Sequence, residues 1–288
     1  MKYNFSYHFY ADDSQLYLSI EPIYINDLIF NVEQCLVDVK TWMRVNKLSL
    51  NDDKTEAMLV NPKSYSIEEA HINIGNEKVE FSESAKNLGF QLDNNLSMNF
   101  HVKNLSKVIY LEIRKLKHML KFVDENSLKT LAASFVLSRL DYCNALFKNM
   151  PNYQLEKLQK LQNFAAKVVM NKSLYDHVTP CLIDLHWLPV KFRVDFKIAV
   201  LTFKCLNGLA PKYLSELIEF YVPQRQLRSS SLNLLKSKVT KFKTLGDRSF
   251  SFSAPQVWNT LPPSLRNETS LDIFKKNLKT HYFRKAFS

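Results

Sequence analysis

Apolar and polar residues alternate on both sides of Asp12-Asp13. Phe5, Tyr7 and Phe9 alternate with Ser6 and His8, and Leu16, Leu18 and Ile20 alternate with Tyr17 and Ser19. A period of two broken by a polar pair predicts a β-hairpin over 7–20 with the aspartates at its tip. The period then lengthens. Across 24–46, Leu28, Val32, Cys35, Leu36, Val39, Trp42 and Met43 recur three and four residues apart, which predicts an amphipathic helix. A turn running into a strand is predicted near 57–60. A hairpin is predicted over 71–81, turning at Gly75-Asn76, and one further strand over 85–93.

From about Leu96 the pattern becomes helical. Helices are predicted over 102–122, 125–148 and 153–171, and another over 190–207, closed by Asn207-Gly208 and Ala210-Pro211. The last quarter is less regular. It holds a basic segment at 224–250, the turn-rich stretch APQVWNTLPPSLR, and a terminal helix over 270–284 with Thr269 or Ser270 as N-cap. The fold class expected is α+β and predominantly helical: a short antiparallel sheet with one helix over 1–95, a helical region over 96–172 and a helical, basic extension over 173–288.

Composition narrows the chemistry. The chain has 288 residues, 46% of them hydrophobic, enough for a sizeable core. Only 4 are glycine, and neither a Walker A nor a GxGxxG phosphate loop is present. The cysteines, Cys35, Cys143, Cys181 and Cys205, are too scattered for a disulfide framework. With no signal-peptide pattern and no membrane-length apolar run, a soluble intracellular protein is expected.

The net charge of +11 is unevenly spread. Residues 1–95 hold 8 Lys and Arg against 15 Asp and Glu; residues 96–223 hold 18 against 10; residues 224–288 hold 13 against 3. An acidic front suits cations and a basic rear suits polyanions. The first long helix of the rear concentrates that charge. At 100° per residue, Lys103, Lys107, Arg114, Lys117 and Lys121 fall within about 40° of one line, with Tyr110 beside them. Leu105, Ile109, Ile113, Leu116 and Leu120 fall broadly opposite. Such a row tracks a phosphate backbone, with Tyr110 free to pack on a sugar or base. The plainer reading is a solvated outer face, but solvated faces usually mix signs.

Tyr10-Ala11-Asp12-Asp13 resembles the metal-binding hairpin of reverse transcriptases. The order of the downstream segments makes the resemblance specific: KTWMRVNKLSLNDDKTE, NLGFQLDNNLSMNFHV, SRLDYCNALF, LQKLQNFAAKVV, HVTPCLIDLHWLPVKFRVDFKI, KCLNGLAPKYLSEL, APQVWNTLPPSLR and FKKNLKTHYF. Together they look like the rear half of non-LTR retrotransposon (LINE-type, jockey-like) polymerases, and the resemblance covers essentially the whole chain.

That resemblance implies the end of a polymerase palm, a helical thumb and a C-terminal extension. It implies DNA synthesis from dNTPs on an RNA template and a primer 3′-hydroxyl, in the nucleus at target DNA. It also implies two Mg²⁺ ions roughly 3.5–4 Å apart. Two carboxylates at a hairpin tip repel unless a hard cation neutralises them, and oxygen ligands suit Mg²⁺. By likeness, Asp12 is the direct metal ligand and Asp13 its neighbour in the catalytic site. Lys54 is implied as general acid for the pyrophosphate leaving group; read alone, it is a turn lysine beside two acids. Gly89, in Leu88-Gly89-Phe90, is implied in a primer-gripping hairpin where backbone approaches the primer end; read alone, it marks a bulge.

Relatives carry a further metal-binding aspartate and a template loop before the hairpin. The 11 residues preceding Asp12 contain no acid. The chain is therefore expected to lack fingers and front palm, and to be inactive alone. Asp141 is not expected to substitute. His177, Cys181, His186 and Cys205 do not match paired-ligand zinc spacings, and no zinc is expected. His186-Trp187-Leu188-Pro189 reads as a packed turn, and Trp187 and Trp258 as core anchors. The rivals to a polymerase portion are a non-enzymatic nucleic-acid-binding module and a relic without selected function.

Overall fold

The computed structural model describes residues 3–19, 21–60, 71–75, 77–223, 233–240 and 246–288. The chain divides into two compact units, Met1–Phe100 and His101–Ser288. The architecture is helix-rich with short antiparallel strand pairs.

Among its described residues the first unit holds three separate two-stranded ladders rather than one sheet. β1 (Ser6–Tyr10) pairs with β2 (Asp13–Tyr17), with Tyr10 opposite Asp13. The intervening turn is therefore Ala11-Asp12, and Ala11 takes a left-handed φ of 53°. Tyr7, Phe9 and Leu16 share one face of this hairpin and remain exposed. The helix predicted over 24–46 is α1 (Ile25–Val45).

β3 (His71–Ile74) and β4 (Glu77–Glu80) form the predicted second hairpin, with Gly75 at φ 69°; Asn76 lies outside the described residues. α1 covers the free edge of β3 with charges: Glu33 accepts from the Asn73 backbone N–H at 2.7 Å, and the Lys40 ammonium donates to the Ile74 carbonyl at 3.5 Å. An edge blunted in this way is a poor template for further pairing.

Two strand expectations change. No strand forms over 57–60; Ala57 makes a single parallel bridge to Phe81. The single strand expected over 85–93 is instead a hairpin, β5 (Ser84–Asn87) and β6 (Phe90–Asp93). Leu88 and Gly89 between them both have positive φ, 45° and 82°, the signature of a tight two-residue turn.

α2 (Asn99–Met119) opens the helical region. The helix expected over 125–148 is divided. α3 (Glu125–Ala132) runs through a π turn (Ala133–Leu137) into α4 (Ser138–Asp141). The buried residues explain it. Leu128, Ala132, Val136 and Leu140 recur every four residues, at 2%, 0%, 0% and 1% exposure. A helix of 3.6 residues per turn would rotate that row off the core, and a wider π turn keeps it aligned. The helix then stops, with Tyr142 extended and Cys143 left-handed at φ 52°.

α5 (Asn152–Val169), α6 (Val178–Asp184), α7 (Val190–Leu206), α8 (Lys212–Ser215), α9 (Phe250–Trp258), α10 (Pro263–Arg266) and α11 (Leu271–Phe287) complete the second unit. α7 is its axis. Its Val194, Ile198, Ala199 and Phe203 are buried, and it packs against α5, α9 and α11, so residues before and after position 172 share one core. Phe203 of α7 stacks on Phe274 of α11 at 4.4 Å, with Trp258 of α9 5.9 Å from Phe274. Gly208 closes α7 at φ 70°, as the Asn-Gly pair predicts. Ser270 does precede α11, but its hydroxyl makes no capping bond; the Glu268 carboxylate accepts from the Thr269 and Ser270 N–H groups.

Candidate nucleic-acid interface

The amphipathic pattern of α2 folds as its sequence dictates. Ile109, Ile113 and Leu116 are buried at 0%, 0% and 2% exposure, while Leu105 is half-buried. Lys103, Lys107, Arg114 and Lys117 are all exposed on the other side. Lys121, also exposed, stands in the turn just past the helix end. None of these five cations has an ion-pair partner among the described residues. Glu112, the one acid in α2, does not neutralise the row. Its carboxylate lies 3.3 Å from Lys115 and 3.8 Å from Arg139, both off the line.

Tyr110 is 48% exposed, and its ring lies 6.2 Å from that of Phe164 on α5, tilted by 31°. The aromatic is thus backed by a second ring rather than loose on the surface. Sequence reasoning missed Phe164, and with it a second set of cations. Lys157, Lys160 and Phe164 lie within about 60° of one another around α5. Both lysines are exposed and without an ion-pair partner among the described residues. The spacing of 157, 160 and 164 was readable. The Tyr110–Phe164 contact that joins the two helices was not, because it depends on tertiary packing.

The hairpin tip presents Asp12 in the turn and Asp13 as the first residue of β2, both exposed. Among the described residues no three His, Cys, Asp or Glu side chains converge to hold a metal. Mg²⁺ demands near-octahedral oxygen coordination, and catalytic pairs are clamped by several carboxylates. Among the described residues Asp12 and Asp13 are therefore two neighbouring carboxylates without a third such ligand beside them.

Lys54 ends a single 3₁₀ turn (Asp52–Lys54) and is exposed. Its neighbour Asp52 is engaged elsewhere, accepting from the Lys40 ammonium at 2.6 Å. Gly89 sits exposed at the β5–β6 tip, where backbone is open to approach. A groove of about 410 Å³ opens between α1 and the segment 48–52, walled by Leu36, Val37, Lys40, Arg44 and Ile74. Neither Asp12, Asp13, Lys54 nor Gly89 lines it.

Several candidate residues are structural. Both oxygens of Asp141 accept from the Arg193 guanidinium, which ties α4 to α7. Lys148 donates to Asp195 at 2.6 Å, a second tie to α7. The His186–Pro189 turn is clamped by α5: Gln162 donates to the Leu188 carbonyl at 2.9 Å, and Gln159 accepts from the Val190 N–H at 2.7 Å. Trp187 and Trp258 are 7% and 1% exposed, core anchors as predicted. Cys181 and Cys205 are buried thiols, and the His186 ring packs 5.7 Å from Phe283. About half of the basic segment 224–250, residues 224–232 and 241–245, lies outside the described residues.

No described helix is long and apolar enough to cross a membrane. Comparison with family models, curated proteins and solved structures finds no match.

Proposed function

We propose that this chain binds nucleic acid along α2, as the template- and primer-holding portion of a reverse transcriptase of the non-LTR retrotransposon type. The observation that carries this reading is the row Lys103, Lys107, Arg114, Lys117 and Lys121, exposed and without ion-pair partners among the described residues. Free cations in line release condensed counterions when they meet a phosphate chain, and that release supplies most sequence-independent affinity. The order of the polymerase-like motifs along the sequence supports the family. In this reading the Asp12–Asp13 hairpin is the palm hairpin, α2 to α5 form the thumb, and the remaining helices are its extension.

The test uses the full chain and a fluorescein-labelled RNA–DNA hybrid. Triple reversal K107E/R114E/K117E is expected to weaken binding by about tenfold or more at low salt, with the helical circular dichroism unchanged. Unaltered affinity would remove the α2 row from the interface. A second measurement addresses catalysis. With Mg²⁺, dNTPs and a primed template, the chain alone is expected to yield no extended primer. Template-dependent extension lost in D12N would contradict the incomplete metal centre.

A further inference from the structure

The spacing within the row points to a more specific ligand. Lys103, Lys107, Arg114 and Lys117 lie on one continuous helix, spanning about 21 Å at 1.5 Å per residue. The row is not evenly filled. Lys107 and Arg114 are about 10.5 Å apart, and Tyr110 occupies the gap. That ring is half exposed and steadied by Phe164.

We infer that α2 takes a single-stranded segment of nucleic acid, its phosphates along the lysines and arginine and one base stacked on Tyr110. This rests on the nucleic-acid reading above and goes beyond it by choosing the strand state. Two physical arguments select the single strand. A strand within a duplex completes a turn in about 34–36 Å, so over the length of the row it swings more than half way round its axis and meets only part of the line of cations. An unpaired strand straightens along it. Stacking also needs a free base face. In a duplex each base is covered above and below by its neighbours, and a side chain meets only groove edges. In a single strand every base has an open face, and sequence-tolerant stacking on aromatics between cations is how such strands are held. Tyr110, fixed against Phe164, gives up little freedom when a base covers it.

The competing arrangement is a duplex lying across the helix. The gap between Lys107 and Arg114 is close to the width of a major groove, about 12 Å. Each cation would then reach a phosphate ridge, with Tyr110 in the groove between.

The experiment compares the full chain binding a labelled 20-nucleotide oligothymidylate, the matching 20-base-pair duplex, and the oligothymidylate with abasic sites throughout. Wild type, Y110A, Y110F and K107E/R114E/K117E are measured at one salt concentration. The single strand is expected to bind tighter than the duplex. Y110A should lose roughly 5- to 150-fold on oligothymidylate, the range of one base–aromatic stack, and nothing on duplex or abasic strand. Y110F, which keeps the ring face, should bind as wild type does. Duplex binding as tight as or tighter than single strand overturns the inference, as does a Y110A effect that is absent or equal on all three ligands. In each of those cases loss of binding in the triple reversal leaves the nucleic-acid reading standing. Failure of wild type to bind any of the three ligands removes both.

Discussion

Tyr282 carries its hydroxyl into the core of the helical unit, where no hydrogen-bond partner among the described residues meets it. Burial, reinforced by the nearby Asp195 carboxylate, pushes the phenol far above its ordinary pKa. A buried hydroxyl without a partner costs stability, so Tyr282→Phe is expected to raise the unfolding free energy by about 1 kcal/mol or more. Urea unfolding reads this directly, and a destabilised variant would reveal a bond the hydroxyl makes. His101, also buried, is held below the ordinary 6.5 by desolvation. Because its folded pKa is the lower one, the unfolded chain binds more protons below pH 6.5, and stability falls as pH drops through that window. His101→Gln is expected to lose less melting temperature between pH 7.5 and 5.5 than the native protein. Equal losses would assign the acid sensitivity to other groups, His281 among them, whose pKa is lowered in the same sense. The α2 cations were legible because helical periodicity alone puts them on one side. The buried tyrosine and histidine were not, because nothing local tells a buried polar ring from an exposed one.

At the scale of elements, long periodic segments were read well and irregular ones poorly. α1, α5, α7 and α11 end within a few residues of their sequence expectations, the first three from helical periodicity and α11 from its start after Ser270. The break at Tyr142-Cys143 was hidden because apolar residues continue at helical spacing through Asn144–Phe147, which forms a 3₁₀ turn. α6 and α9 were missed, the latter because Pro255 and the neighbouring prolines read as turn signals. The strand expected at 57–60 makes only the Ala57–Phe81 bridge among the described residues, and a short apolar run does not by itself supply a partner strand. The glutamines of α5 show what holds the helices together. Gln162 is fully buried and donates to Leu188 O in the turn before α7. Gln162→Leu leaves that carbonyl unpaired and is expected to cost about 1–3 kcal/mol, measured as a lower urea midpoint at unchanged slope. A neutral result would mean water replaces the amide.

For the whole molecule, the charge asymmetry and the division at residue 100 coincide closely: an acidic first unit and a basic second unit. Their charge was legible from composition, whereas the arrangement of the hairpins as three separate ladders needed the structure. Both faces of the β1–β2 hairpin are exposed, aromatic residues included. The central claim concerns the second unit, that the α2 row neutralises phosphates. It is tested most directly by the salt dependence of binding to a single-stranded 20-mer. Each phosphate contact contributes a slope of about −0.7 to log K against log salt. K107Q/R114Q/K117Q is therefore expected to flatten the slope by about 2 relative to the native chain. Parallel slopes for the two proteins would contradict the claim and leave the row a solvated helix face.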